Sequence, residues 1–279
     1  MDAGVDAGED TGVDARMGGG AAVVALDVGA ELRAFLRRPA HRRRPDAVLV
    51  PVDGVSTLGH VVQSVGVPLT EVGALVADGE AATPADRPRA GTVVRVLPVP
   101  RPQPAPTTPP RFLLDVHLGR LARQLRVLGL DAAYDSAADD AALTERAAEE
   151  SRVLLTQDRG LLMRRRLPAA TRGPAGPARV AAWVAAYVRG RTADEQLGDV
   201  LARFAPPLAP WTRCPACNGE LVAVPKSDVA DRLEPGTRRE FDDFARCPAC
   251  GRVYWHGAHA PGLDDLVARA RQAVGDVES

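Results

Sequence analysis

The chain has 279 residues, of which 46% are hydrophobic and 25% are charged, and its formal net charge is -1 at pH 7. This length allows two or three domains with buried cores, and the net charge by itself indicates no class of partner. The apolar run at 180–188 is far too short to cross a bilayer, and residues 1–20 lack an export signal. We therefore expect a soluble, cytoplasmic protein without a membrane partner.

The first 99 residues divide into a tail and a β-rich segment. Residues 1–20 are acidic, small and aperiodic, which predicts a disordered tail because little apolar surface offsets the entropy of ordering. Residues 21–99 contain valine-rich runs that predict strands, and a helix is predicted from Ser56 to Ser64 with a hydroxyl N-cap. A turn or short strand is predicted at 32–37. The predicted strands are 22–28, 47–52, 74–77 and 92–98.

The order of these elements resembles the ubiquitin-like β-grasp fold and is similar to small sulfur-carrier proteins. Such carriers act through a free C-terminal Gly-Gly, whereas this segment continues through Pro98 and Pro100. We therefore expect a docking or stabilising module with a protein partner of unknown identity, and no conjugation chemistry.

Seven prolines between positions 98 and 110 mark the clearest domain boundary. Proline fixes φ and favours extended chain, so residues 100–110 are predicted to form a stiff linker.

Residues 111–208 alternate between predicted strands and helices. Leucines at 118, 121, 125 and 128 recur at helical spacing. Alternating strands and helices predict a parallel sheet with flanking helices. A short helix is predicted to end near Arg166, residues 171–178 are predicted to be a loop, and residues 181–188 fit either a strand or a helix. The predicted strands are 111–116 and 152–156, and the longer helices are 117–128, 139–150 and 194–204.

The apolar runs of these two strands each end in an aspartate. Asp115 ends the run that begins at 111 and Asp158 ends the run that begins at 152, and Asp139 and Asp140 lie between them in sequence. Neighbouring parallel strands end at one edge of a sheet, which is where open α/β folds bind ligands. Converging carboxylates there favour a hard cation such as Mg²⁺ or Mn²⁺, which can activate a water molecule and orient a phosphodiester.

A second interpretation of these aspartates is purely structural. An aspartate between a strand and a helix is a favoured N-cap, because its oxygens accept hydrogen bonds from the first helical N–H groups. The sequence leaves both interpretations open. Glu145 and Glu149, four residues apart on the intervening helix, are expected to lie on the surface.

Arginines follow Asp115 and Asp158 and are candidates for binding a phosphate backbone. Arg120, Arg123 and Arg126 are predicted to share the water-facing side of the first helix, and Arg159 and Arg164 follow Asp158. Of these, Arg120, Arg123, Arg159 and Arg164 are the predicted substrate-binding residues. Ordinary solvated helix faces give the same pattern.

All four cysteines belong to two copies of Cys-Pro-Ala-Cys. Cys214 and Cys217 form the first copy, and Cys247 and Cys250 the second, with 29 residues between the copies. Two such knuckles predict a tetrahedral four-thiolate zinc site in preference to disulfides or a redox motif. Because a closed four-thiolate shell has no open position, this zinc is expected to be structural.

Aromatic residues are concentrated around the cysteines, although the chain is only 4% aromatic. They form the core of a small metal module or stack on unpaired bases. These residues are Phe241, Phe244, Tyr254 and Trp255.

An ordered series of motifs resembles the Mut7-C ribonuclease family. In that family a PIN-like nuclease domain is joined to a C-terminal zinc ribbon, often behind a ubiquitin-like Mut7-C module. This sequence departs from the pattern at Gln157, where arginine is commoner, and in an expanded segment at 172–186. The motifs that carry the resemblance lie at 111–131, 138–140, 153–162, 194–197, 213–221 and 247–255.

The resemblance implies an α/β fold class: a PIN-like parallel sheet with flanking helices, preceded by a β-grasp (ubiquitin-like) domain and followed by a zinc ribbon. The implied domains are the β-grasp domain at 21–99, the nuclease domain at 111–208, the ribbon at 209–260, and a helix or tail at 261–279. The resemblance also implies Mg²⁺- or Mn²⁺-dependent cleavage of RNA, with the acidic positions matching Asp115, Asp139 or Asp140, and Asp158.

Two other functions fit the same residues. One is a non-catalytic RNA- or ribosome-binding adaptor that uses the zinc ribbon and the arginine face, with the aspartates as helix caps. The other is a metal-dependent phosphatase built on a similar sheet.

Overall fold

The computed structural model describes residues 22–43, 46–163, 185–257 and 260–278. These residues form three sheets, which follow one another along the chain. In these four segments, none of the helices is both long enough and apolar enough to cross a membrane. The predicted tail at 1–20 and the predicted loop at 171–178 lie outside the described residues.

The first sheet is mixed, with the strand order β2-β1-β5-β3-β4. The two central strands, β1 and β5, are parallel, and each of the other pairs is antiparallel. This arrangement is the predicted β-grasp fold. The strands are β1 (Val23–Val28), β2 (Val48–Pro51), β3 (Val72–Ala77), β4 (Glu80–Ala82) and β5 (Val93–Pro98), and the helices are α1 (Pro39–Arg43) and α2 (Leu58–Ser64).

Local chemistry explains the elements of this sheet. Alternate residues of β1 are buried, because a strand with one face on the core alternates apolar and polar positions. Thr57 caps α2 by accepting a hydrogen bond from the His60 N–H. Asp78 and Gly79 both adopt positive φ in the tight turn between β3 and β4. Residues 30–35, which overlap the predicted turn or strand, form a 3-10 helix.

The second sheet is parallel throughout, with the order β7-β6-β8-β9. Its strands are short and almost completely buried, as expected when helices cover both faces. The strands are β6 (Arg111–Leu114), β7 (Asp131–Tyr134), β8 (Val153–Thr156) and β9 (Ala185–Tyr187), and the helices are α3 (Gly119–Val127), α4 (Asp140–Glu149), α5 (Arg159–Leu162) and α6 (Ala193–Phe204).

Alternate residues of β6 enter two different cores. Phe112 and Leu114 pack with α3 and α6, whereas Leu113 packs with α4 and α5. The leucines predicted at helical spacing on α3 are all buried in the first of these cores. The C-terminal helix α8 (Ala260–Glu278) adds Leu266 and Val267 to the same core.

Three details of the second sheet differ from the sequence-based expectations or complete them. The ambiguous stretch at 181–188 contains strand β9. Strand β7 was not predicted, because Asp-Ala-Ala-Tyr contains no β-branched residue. The prediction that Arg126 faces water is wrong: the side chain is buried, and its Nε donates a hydrogen bond to the Ala132 carbonyl at 2.8 Å.

The third sheet is small and antiparallel, in the order β10-β11-β12. Phe244 is buried with Val229 and Leu233 in a small core, whereas Trp255 is 42% exposed. The aromatic residues near the cysteines are thus divided between core and surface. The elements are β10 (Val222–Val224), α7 (Pro235–Glu240), β11 (Phe244–Arg246) and β12 (Val253–Trp255).

The β-grasp domain packs against the edge strand β9 of the second sheet. The rings of Phe35 and Tyr187 meet edge to face with 5.0 Å between their centroids. The proline-rich segment also lies against this interface. Gln103 is buried there, and its backbone N–H donates a hydrogen bond to the Arg203 carbonyl at 2.6 Å. The first domain therefore covers an otherwise open sheet edge.

Candidate active site and cysteine cluster

Asp115 and Asp158 lie at the carboxyl edge of the parallel sheet, where β6 and its neighbour β8 end. The backbone N–H of Asp115 still donates to the Leu155 carbonyl at 3.0 Å, so Asp115 extends the pairing by one residue. Asp115 is buried and Asp158 is exposed. The predicted shared edge is therefore present, with one carboxylate inside the protein and one at its surface.

Thr156 joins these two aspartates through a single hydroxyl group. Its Oγ1 donates to Asp115 Oδ2 at 2.5 Å and accepts from the Asp158 N–H at 2.8 Å. The Thr156 side chain is completely buried, so water does not compete for these bonds. Thr156 was not among the predicted site residues, although its place at the end of β8, two residues before Asp158, was available as a signal.

Asp139 and Asp140 reach the same edge from the other neighbour of β6. Strand β7 ends at Tyr134, and the following loop leads to Asp139, the N-cap of α4. The Tyr134 hydroxyl donates to the Val116 carbonyl at 2.9 Å, which ties this loop to the segment after Asp115. All of the predicted acidic positions therefore follow adjacent strands. Glu145 and Glu149 are exposed on α4, as predicted.

Each of the three aspartates that precede a helix also caps it. Asp115 accepts from the His117 N–H at 3.0 Å, Asp139 from Ala142 at 2.8 Å, and Asp158 from Gly160 at 2.6 Å. The geometry therefore confirms that these three aspartates act as helix N-caps. Capping occupies one carboxylate oxygen, and the other oxygen retains acceptor capacity.

The acidic side chains do not form a tight cluster. Across the four described segments, the cysteines are the one set of three or more potential ligands whose ligand atoms all lie within 4.8 Å of one another. The carboxylates share an edge of the sheet without closing around a single point.

The predicted substrate-binding arginines occupy different surroundings. Arg120 and Arg123 are exposed on α3 and line a cavity of about 420 Å³ with the first turn of α6. The guanidinium of Arg159 lies over the ring of Phe35 at 5.1 Å and over that of Tyr187 at 5.7 Å, where the β-grasp domain packs. Arg164 lies outside the described residues.

The four cysteine sulfurs lie close together between the two knuckles, all within 4.8 Å of one another. The Sγ atoms of Cys214 and Cys250 are 3.7 Å apart, and those of Cys217 and Cys247 are 3.5 Å apart. A disulfide would need about 2.05 Å. Four sulfurs at Zn–S bonds of about 2.3 Å lie about 3.8 Å from each other in a tetrahedron. The cluster therefore fits a tetrahedral thiophilic metal.

The first knuckle holds two thiols whose pKa values are shifted in opposite directions. Burial and the neighbouring cysteines raise the pKa of Cys217 to about 12. Burial opposes ionisation of Cys214 as well, but hydrogen bonds from Tyr254 and from knuckle N–H groups lower its pKa to about 6. Because adjacent thiolates repel one another, a bound metal ion would favour their ionised forms by offsetting the charge.

The first knuckle is anchored to the second sheet. The Asn218 side chain accepts from the Ala132 N–H at 2.9 Å and donates to Asp131 at 2.7 Å. Arg126 donates to the carbonyls of Pro215 and Ala216 at 3.2 and 3.0 Å. The cysteine module is thus fixed to α3 and β7 at the amino end of the sheet, opposite the acidic edge.

Asp131 is the centre of this anchor. Burial raises its pKa, but hydrogen bonds from Arg152 and Asn218, together with the charges of Arg152 and Arg213, lower the pKa to about 2. Arg111 adds a further ion pair at 3.1 Å. Asp131 stands within one of the family-like motifs, but its role could not be predicted because its partners Arg152, Arg213 and Asn218 come from distant segments.

Comparison with protein-family models gives two matches. A model of the Mut7-C RNAse domain matches residues 110–267, and a model of Mut7-C ubiquitin matches residues 21–104. Searches of curated proteins and of solved structures find no match. Both family matches confirm the resemblance inferred from the motifs, and the first covers more than half of the 279 residues. The chain therefore belongs to the Mut7-C RNAse domain family and carries a Mut7-C ubiquitin module before that domain.

Proposed function

We propose that this protein is a metal-dependent ribonuclease with a PIN-like second sheet, in which Asp115 and Asp158 hold Mg²⁺ or Mn²⁺. The observation that carries the proposal is the Thr156 hydroxyl bond to Asp115 and to the backbone of Asp158 at the carboxyl edge of adjacent strands. Membership of an RNAse family supports RNA as the substrate class.

The donor set fits a hard cation with few protein ligands. Asp115 accepts two hydrogen bonds, from His117 N–H and Thr156 Oγ1, and a carboxylate has about four acceptor positions. Mg²⁺ is usually held by one or two carboxylates together with water and substrate phosphates. Two aspartates are therefore sufficient, and Asp139 and Asp140 are further candidate ligands from the neighbouring strand.

The bound ion would supply an activated water molecule and offset the charge that develops on the phosphate. The protein's own groups supply position. Because the buried Thr156 hydroxyl is bonded on both sides, it fixes the orientation of Asp115 relative to the start of α5. Arg120 and Arg123 on α3 would attract the RNA backbone without reading its sequence.

We also propose that the four cysteines bind one structural Zn²⁺. The sulfur distances and the all-thiolate donor set support this assignment. The anchor through Asn218 and Arg126 would then make the metal module a support for α3 and β7.

Cleavage of single-stranded RNA by the full chain tests the proposal. Activity should require added Mg²⁺ or Mn²⁺, and Asp115→Asn and Asp158→Asn should each lower the rate by about a hundredfold or more. Omitting the divalent ion, without adding a chelator, leaves a cysteine-bound zinc in place. Asp53→Asn is the matched control, because Asp53 also accepts backbone N–H groups but lies in an exposed turn of the β-grasp domain. Full activity of both site variants would reject the assignment.

One observation favours a non-catalytic RNA-binding adaptor as the second candidate. Asp115, Asp139 and Asp158 all act as caps, which is a complete structural role in itself. An adaptor binds RNA with unchanged affinity in the presence or absence of Mg²⁺ and shows no turnover under any divalent ion.

A further inference from the structure

A cavity of about 350 Å³ lies between α3 and the third sheet. It is separate from the acidic edge, since the cysteine module is fixed at the other end of the sheet. Its lining combines three guanidinium groups with aromatic side chains. Its lining includes Arg123, Arg232, Leu233, Arg252, Tyr254 and Trp255.

The three arginines carry unbalanced positive charge. Over the described part of the chain, none of Arg123, Arg232 and Arg252 has a carboxylate within 4.0 Å. The need to neutralise the thiolates does not account for all three, because the buried Arg126 already lies against the first knuckle. Arg252 also forms a hydrogen bond with the Tyr254 side chain. Exposed guanidinium groups that lack a carboxylate partner among the described residues favour an anionic ligand in the cavity they line.

Trp255 supplies a stacking surface at the same place. It is 42% exposed, and Phe244 lies beside its ring at 6.3 Å between centroids. A large aromatic ring that remains partly in water, next to several arginines, is typical of surfaces that stack unpaired bases and hold the backbone by charge.

We propose that this cavity is a binding subsite for single-stranded RNA, in which a base stacks on Trp255 while Arg123, Arg232 and Arg252 hold the adjacent phosphates. The proposal rests on the proposed function in taking RNA as the substrate. It differs from that function in its location, because it places substrate recognition on the metal module, away from the acidic edge.

Helix α3 connects the cavity to the acidic edge. Arg123 lines this cavity and also the second one, which contains Arg120. The helix begins four residues after Asp115 and has nine residues, so it is about 13 Å long. The carboxylate of Asp194, which also lines the second cavity, accepts a hydrogen bond from the Gln124 side chain at 2.6 Å. An RNA strand of a few nucleotides along α3 would therefore reach from Trp255 to Asp115.

The test measures binding separately from cleavage. A fluorescein-labelled single-stranded RNA of about ten nucleotides is titrated into the full chain carrying Asp115→Asn, and anisotropy is followed at several salt concentrations. Trp255→Ala should weaken binding about fivefold or more. The pair Arg232→Gln and Arg252→Gln should weaken binding and reduce the salt slope by about one to two.

Matched controls lie on the same module but outside the cavity. Trp211 is 40% exposed and packs against His256, so Trp211→Ala removes an equally accessible ring. Arg238 and Arg239 are exposed on α7, and their replacement by glutamine removes the same charge as the test pair. These controls should bind RNA within about twofold of the parent.

Three outcomes decide the proposal. If the Trp255 variant and the arginine pair bind as tightly as their controls, the subsite is rejected, and RNA cleavage by the unaltered chain would still support the proposed function. If the Trp255→Ala variant loses zinc, its binding result is set aside, and RNA binding by the Arg232→Gln and Arg252→Gln pair decides whether the subsite is accepted or rejected. Duplex RNA of the same sequence should bind more weakly; equal binding would reject base stacking.

Discussion

The guanidinium of Arg203 lies 2.9 Å from the carboxylate of Glu71, although the two residues are 132 positions apart and each side chain is 1% exposed. Glu71 belongs to the β-grasp domain and Arg203 to α6. The pair is fully hydrogen-bonded, because Glu71 also accepts from the Tyr187 N–H and Arg203 Nε donates to Gln103. It ties the first domain to the edge strand β9 and to the linker.

Removing one partner of this pair should destabilise the protein strongly. Glu71→Ala leaves the Arg203 charge buried and uncompensated, so the free energy of unfolding should fall by about 3–5 kcal/mol. Urea denaturation measures the change. The exposed Glu80 on β4 is the control, and Glu80→Ala should cost less than about 0.5 kcal/mol. A double replacement of Glu71 and Arg203 by leucine should recover much of the loss; a cost for the double variant as large as that of Glu71→Ala would contradict the explanation.

The hydrogen bonds of the Thr156 hydroxyl should contribute more to stability and activity than the shape of the side chain does. Thr156→Val keeps the shape but leaves Asp115 Oδ2 and the Asp158 N–H without their partner, which should cost about 1–3 kcal/mol of stability. If the proposed site is correct, cleavage should also fall by about tenfold or more because Asp115 loses its orientation. Thr156→Ser keeps the hydroxyl and should retain most activity. Equal cleavage rates for the valine and serine variants would remove Thr156 from the site.

Acid should weaken the anchor around Asp131. Its folded pKa is about 2, below the ordinary value of 3.8, so ionised Asp131 stabilises the fold above about pH 4, and this contribution is lost as the pH falls toward 2. After solvent screening the contribution is on the order of 1–2 kcal/mol. Asp131→Asn should therefore lower stability at neutral pH and flatten its decline below pH 4, as measured by urea unfolding against pH. The exposed Asp135→Asn should leave the profile unchanged.

If the cysteine cluster holds the proposed zinc, removing the zinc should loosen the second sheet at β7. The Ala132 N–H donates to Asn218, which lies one residue after Cys217, so loss of the knuckle exposes this amide. Chelation, or Cys214→Ser, should release one zinc per chain and raise hydrogen exchange at Ala132. The Leu26 amide in β1 serves as the internal reference. Unchanged protection at Ala132 after complete zinc loss would show that the anchor does not depend on the metal.

The fold was largely predictable where short-range chemistry decides it. Leucine spacing predicted α3, and apolar spacing predicted α6. Strand β7 escaped prediction because its pairing with β6, and not its composition, makes it a strand. Arg126 was assigned to water because helical periodicity cannot show which neighbour covers that face.

In the acidic site, too, the local features were predictable from the sequence and the long-range contact was not. The strand-terminal positions of Asp115 and Asp158 were evident from the sequence, and so was their possible role as caps. The hydroxyl that joins them was not evident, because Thr156 meets Asp115 across 41 positions.

The sequence by itself determined the family, most of the order of strands and helices, and the four cysteines of the proposed metal site, since these depend on residue types at short, fixed spacings. Tertiary structure alone decided that Glu71 and Arg203 join two domains, that Asn218 fixes the knuckle to β7, and that Trp255 borders a cavity lined by three arginines. The physical reason is that these relations depend on contacts between distant segments, and chain packing sets those contacts rather than local pattern.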